Sequence, residues 1–211
     1  MLFMKEDGIH RLVYSKNVIE LITVANEFCS FLERSDEMES VDFMGRLQKI
    51  LPLLYIKAAL LPEIDFEPEE DLIKYVTEVE YNLIQQKVLQ HTGANDDYRE
   101  IFVPGAPESD EAFTSSISEN VADIYQDMKD LIMSFRTMDE EIMSQAIREC
   151  QLNFTQFWGQ KLVNGLRAIH NVIYSEKNGD DDLQSEKQNP KKTNRKPDWL
   201  TDRFSNQEDN E

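Results

Sequence analysis

At 211 residues the chain has room for one domain of ordinary size with a substantial core. Its 41 Asp and Glu against 22 Lys and Arg give a formal net charge of -19, which argues against any function built on broad phosphate contact with nucleic acid or with an anionic membrane. Cys29 and Cys150 are isolated singletons among apolar residues, the N-terminus lacks the apolar stretch of a signal peptide, and the densest apolar run, 50–62, is broken by Pro52 and Lys57. A reducing, cytoplasmic compartment and the lack of a transmembrane helix are the expectations.

Residues 1–14 have no clear apolar period and include Gly8, so they read as a loose extension or a weakly docked arm. A first main helix is expected over 17–34, with Asn17 and Glu20 placed to cap it and Val18, Leu21, Ile22, Ala25, Phe28, Cys29 and Leu32 along one side. After a short polar connection, 35–39, a second helix is expected over 41–61. There Pro52 removes a hydrogen bond to Gln48 and is expected to kink or break the helix before Pro62 stops it.

The acidic stretch 63–75 reads as a loop. Thr77 and Glu80 form a capping box that starts the third helix at Glu78, and Gly93 ends it. Residues 94–114 contain Pro104, Gly105 and Pro107 and read as a long surface connection with one short turn near 98–102. Ser116 and Glu119 form another capping box that starts the fourth helix, whose seam runs through Ile117, Val121, Ile124, Tyr125, Met128, Leu131, Ile132 and Phe135.

Helical spacing persists from 142 to 174, about 50 Å at 1.5 Å per residue, with a kink expected near Gly159. Glycine inside a helix costs roughly 0.5–1 kcal/mol relative to alanine, so Gly159 and Gly165 point to close backbone approach. Residues 175–211 are polyampholytic and are expected to be disordered, except that Trp199, Leu200 and Phe204 could share one face of a short helix formed on a partner. The whole predicts an all-α bundle of about five main helices over 15–174, the last of them against the first, second and fourth, followed by a disordered tail.

The last helix carries the clearest functional signal. Cys150, Phe154, Phe157, Trp158, Leu162, Gly165, Ile169, Val172 and Ile173 form its core stripe. Opposite them stand Asn153, Gln156, Gln160, Asn164, Arg167 and Asn171, amides where a solvated helix usually carries Glu and Lys. Amides both donate and accept, so this stripe could line a groove, form a buried network between helices, or be a plain exposed face.

Catalytic motifs are weak by comparison. Glu119, Asp123 and Asp127 recur every four residues with Asp130 beside them, a pattern that can hold a hard cation but is more economically a solvated face. None of His10, His91 or His170 follows a glutamate by three residues, which removes the di-iron bundle motif. The two thiols lack the clustering of a zinc site, and no phosphate-cradling glycine loop is present. No metal or other cofactor is expected.

The strings NVIELITVANEFCSFLE at 17–33, RLQKILPLLYIKAALLP at 46–62, SISENVADIYQDMKDL at 116–131 and FWGQKLVNGLRAIH at 157–170 resemble an uncharacterised bacterial family, a domain of unknown function, over roughly 17–174. The resemblance implies an all-helical bacterial cytoplasmic protein and carries over no catalytic residue, ligand or partner. The function expected is that of a non-enzymatic interaction module whose partner is another protein, not nucleic acid or membrane. The alternative is a small-molecule-binding or metal-dependent hydrolytic domain.

Overall fold

The computed structural model describes residues 2–62, 64, 72–100 and 113–186, and the expected acidic loop, 63–75, and long connection, 94–114, lie partly outside them. Residues Met1–Tyr174 form one compact unit and those from Ser175 onward another. The fold is all-α with one small hairpin, and each expected main helix is present.

Of the two readings of residues 1–14, the packing of residues 9–13 is that of a docked arm. Leu2–Val13 form α1, and although this helix shows little period, Ile9, Leu12 and Val13 make one apolar turn that packs on the core, with Val13 fully buried. His10 Nδ1 lies 2.8 Å from Glu140 Oε1 and fastens that turn to the start of the sixth helix. One buried turn is enough to dock a helix, but too short to register as periodicity.

Helix α2, Lys16–Glu33, buries the expected stripe apart from the half-buried Ile22, but it begins before Asn17, whose side chain donates to the Leu60 carbonyl instead of capping, and the polar connection after it tightens into a 3-10 turn, Ser35–Glu37. Helix α3, Ser40–Ala59, continues through Pro52 as one element, so the proline does not break it. Leu47, Leu51, Leu54 and Ala58 are all buried on either side of the proline, and their packing outweighs the lost hydrogen bond. Helix α4, Glu78–Thr92, has both halves of its capping box and ends at Gly93, whose φ of +53° suits a residue without a Cβ.

The stretch after Gly93 departs from expectation. Asp97–Glu100 form β1, which pairs antiparallel with β2, Phe113–Ser116, in the register Asp97↔Ser116 to Glu100↔Phe113. The hairpin is held from below by Asp96, a buried residue at the junction of three elements. Its carboxylate accepts from Thr92 Oγ1 at 2.7 Å, from Ser118 N at 2.9 Å and from Ser118 Oγ at 2.7 Å, while its carbonyl accepts from Ile117 N at 2.9 Å. Strand, α4 terminus and the next helix start are thereby set by one side chain.

Helix α5, Ile117–Arg136, is capped by Ser116 and is the central helix, packed against α2, α4 and the helix that follows it. That helix, α6, covers Glu140–Asn153 and starts at Asp139, whose carboxylate accepts from Glu141 N and Ile142 N. The kink expected near Gly159 is a π turn, Phe154–Trp158, after which α7 covers Gly159–Glu186. Helix α6 lies against α5 and α1, whereas α2 packs on α3 and α5, so the expected contact of the last helix with α2 is not a main one.

Helix α7 continues past Tyr174, where the apolar period ends. Prolonging an existing helix is far easier than nucleating one, and Glu176 and Lys177 are good helix formers. Residues 187–211 of the expected tail, with its Trp199, Leu200 and Phe204, lie outside the described residues.

Candidate functional site

The π turn decides what the last helix presents. Gly159 N–H bonds back five residues to the Phe154 carbonyl, so the helix downstream is rotated relative to the one upstream. Core packing consequently recurs at Cys150, the half-buried Phe154, Trp158 and Leu162, four apart each time, before Gly165 and Ile169 resume ordinary spacing. Phe157, expected in the core, is 59% exposed instead. A run of apolar residues at spacing four is the sequence signal that could have revealed this.

The same rotation splits the amide stripe. Asn153, upstream, donates through Nδ2 to Asp127 Oδ1 at 2.6 Å. Downstream, Asn164 donates to Glu100 of β1, and Gln160 Nε2 donates to Asn164 Oδ1 at 3.0 Å. Gln156, Gln160, Arg167 and Asn171 are exposed, whereas Asn153 and Asn164 are half-buried members of polar networks. The six residues thus divide between half-buried polar networks and exposed surface.

The carboxylates of α5 are not a solvated face either. Glu119 is exposed, but Asp123 and Asp127 are half-buried and Asp130 is buried. Asp123 accepts from Tyr81 OH at 2.8 Å and from Lys161. Asp130 accepts from the backbone N–H groups of Tyr75 and Val76 at 2.8 and 3.1 Å, which straps the segment before α4 onto α5. Lys74, in that strap, pairs with Glu149 of α6.

Together these groups line a cleft of about 310 Å³ formed by Lys74, Asp123, Gln126, Asp127, Asp130, Asn153, Phe157, Trp158 and Lys161. Asn153 and three carboxylates of α5, Asp123, Asp127 and Asp130, therefore meet in one concavity, while Gln156, Gln160, Asn164, Arg167 and Asn171 are not among its lining residues. Lys74, Lys161 and Gln126 were not singled out from the sequence, because isolated lysines and glutamines carry no pattern. Among the described residues no three carboxylate, imidazole or thiol groups are gathered as a metal site.

Histidine and cysteine chemistry lies elsewhere. His91 stacks on Phe43 with ring centroids 4.1 Å apart, and His170 leans on Tyr174. Cys29 and Cys150 are free and buried, and burial pushes both thiols far above their usual range, which disfavours the thiolate form.

Burial pushes the Asp127 carboxyl up from 3.8 to about 6, against the opposing hydrogen bond from Asn153 and the charge of Lys74. A carboxyl with a higher pKa folded than unfolded holds its proton more tightly in the fold. Its contribution is therefore fully present below the unfolded value of 3.8 and is lost as pH rises through about 6. Asp127→Asn keeps an acceptor for Asn153 without the charge. At neutral pH the variant is expected to resist urea better than wild type, by on the order of 1–3 kcal/mol, and to converge with it in acid. Parallel stability profiles across this pH range would show that Asp127 titrates as an ordinary surface carboxylate.

The fold and site define an all-helical domain with a polar, charge-lined cleft and an amide-rich last helix. The chain belongs to the family described as Domain of unknown function (DUF5063), which matches residues 12–175. The crystal structure of protein BF1032 from Bacteroides fragilis is similar at 43% identity, covering 78% of this chain and 96% of that one, with a TM-score of 0.69. No curated protein matches the chain. No helix among the described residues is long and apolar enough to cross a membrane.

Proposed function

We propose that the chain is a bacterial cytoplasmic recognition module without catalytic chemistry, and that the outward face of α7 is the surface it offers to a protein partner. One observation carries this reading. A chain with 41 acidic residues has none between Glu149 and Glu176, and the outward face there presents Gln160, Val163, Arg167, Asn171 and Tyr174. Depletion of charge together with Arg and Tyr is the composition of a protein interface, not of a face selected for solubility. The half-exposed Val163 and Tyr174, at 45% and 40%, supply apolar area beside the amides. The two buried free thiols support a reducing compartment.

Arg167 is the anchor, since its guanidinium offers two parallel hydrogen bonds to a carboxylate of the partner. Arg167→Ala is expected to weaken capture of the partner in a pull-down read by mass spectrometry by about 1.5–3 kcal/mol, while the urea midpoint stays at the wild-type value. Unfolding of the variant would make Arg167 an internal structural group, and unchanged capture and stability would make the face a plain solvated one.

A second reading is favoured by the cleft, where Asp123, Asp127 and Asp130 outnumber Lys74 and Lys161 and the exposed ring of Phe157 is in the lining. That combination suits a small organic cation, held by a carboxylate and an aromatic face. A cationic metabolite that co-purifies with wild type but not with Asp127→Asn would move the function to small-molecule binding.

A further inference from the structure

We infer that the groove between α2 and α3 is a docking site for an acidic peptide segment of another protein that carries an apolar side chain. The groove, about 540 Å³, is a different surface from the α7 face and does not depend on it. Phe31, Met38 and Ile50 form its apolar part, each half-buried and packed against the core. Arg34 from the end of α2 and Arg46 and Lys49 from α3 are exposed along it, with Glu27 the one acidic residue in the lining. Three cations against one anion is a reversal of sign on a chain of net charge -19.

The groove is also held in shape. Phe31 stacks on Phe43 at 5.0 Å, and Phe43 stacks in turn on His91 of α4, whose Nε2 lies 3.0 Å from the Ser35 carbonyl. Arg34 donates through Nε to the Ser30 carbonyl at 3.0 Å, which fixes the guanidinium and keeps its two terminal nitrogens for a ligand. A partner thus meets a preformed surface and loses little in ordering it.

Charge complementarity selects the occupant. Arg46 and Lys49 stand one helical turn apart, about 4.5 Å along the axis, which matches carboxylates three or four residues apart on a helical segment. The apolar floor between them requires a Leu or aromatic side chain from the same segment. A nucleic acid brings a charge roughly every 1.7 Å and would meet the acidic remainder of the body, whereas a short segment with two or three carboxylates is matched to three cations.

The test is fluorescence anisotropy with a short fluorescein-labelled peptide of Asp and Glu bearing one Leu and one Phe, titrated with the full chain. Binding is expected, with about a tenfold or greater loss when the acids are replaced by Asn and Gln, and a similar loss in Arg46→Glu/Lys49→Glu. Arg167→Ala should bind this peptide as wild type does, which separates the groove from the α7 face. Circular dichroism checks the fold of the double variant, and Arg34→Gln, expected to give a smaller loss, replaces it if it misfolds. Failure of the acidic peptide to bind overturns the proposal, as does equal binding of the amide peptide or displacement by a single-stranded oligonucleotide as readily as by unlabelled peptide. Sedimentation showing a dimer that the charge reversal dissociates also overturns it, because the groove would then be a self-interface.

Discussion

Asp96→Ala is expected to lower the stability of the fold by about 3–4 kcal/mol, read as a fall in the urea midpoint with the slope unchanged. The carboxylate accepts three hydrogen bonds, and alanine leaves the Ser118 N–H in the first turn of α5 without its acceptor in a buried position. The two hydroxyls are better off: Thr92 Oγ1 has the Val88 carbonyl at 3.2 Å, and Ser118 Oγ has Ser116 Oγ at 3.3 Å. Most of the cost therefore comes from the amide and from the lost charge-assisted bonds. Asp96→Asn retains an acceptor for the amide and should cost about half as much or less. A midpoint for Asp96→Ala equal to that of wild type would mean that α5 starts without help from this residue. Because typical domains are stable by only about 5–15 kcal/mol, the predicted loss is a large share of the whole.

The prominence of Asp96 illustrates what the sequence could and could not disclose. The Thr77–Glu80 box was legible because both partners lie within one turn, and its two reciprocal bonds are present. Apolar stripes were equally legible in α2 and α5, where a 3.6-residue period holds over several turns and the stripe positions are buried except for the half-buried Ile22 and Phe135. Asp96 instead reads locally as a turn residue, since its partner Ser118 is twenty-two positions away and no local pattern links them. Strands of four residues, separated by a stretch rich in Pro and Gly, likewise fall below what alternation can reveal.

The candidate site was legible in its residue types and not in its geometry. Asn153, Asp123 and Asp127 were each singled out, but their meeting in one cleft depends on the pairing of α5 with the segment around the π turn. Lys74 and Lys161 became visible only as the partners of Glu149 and Asp123. The exposure of Phe157 could not follow from a constant helical period, because the period changes where that residue stands.

That change of period underlies the second large effect, expected at Gly159. Alanine in place of glycine inside a helix ordinarily stabilises by roughly 0.5–1 kcal/mol, because it restricts the unfolded chain. At Gly159 the sign should reverse. A Cβ there would sit well inside the van der Waals contact of the Phe154 carbonyl oxygen and 3.0 Å from two carbons of the Phe154 ring. The carbonyl is the acceptor of the π bond from Gly159 itself, so it cannot move away without opening the turn. The ring is wedged against Trp158 at 4.7 Å and Tyr55 of α3 at 5.2 Å, which limits its retreat. Gly159→Ala is therefore expected to destabilise by about 1–3 kcal/mol, the range for overpacking. Gly165 provides the internal control, since a Cβ at that position would meet Asn120 Cβ at 3.8 Å, an ordinary contact. Gly165→Ala should be neutral or stabilising, whereas Gly165→Leu would overfill the same space against α5. Thermal melts of the two alanine variants measure the contrast directly. Equal and raised midpoints in both would mean that the helix can relax to a continuous α-helix at Gly159, and that the split of the amide stripe between cleft and outward face does not depend on the π turn.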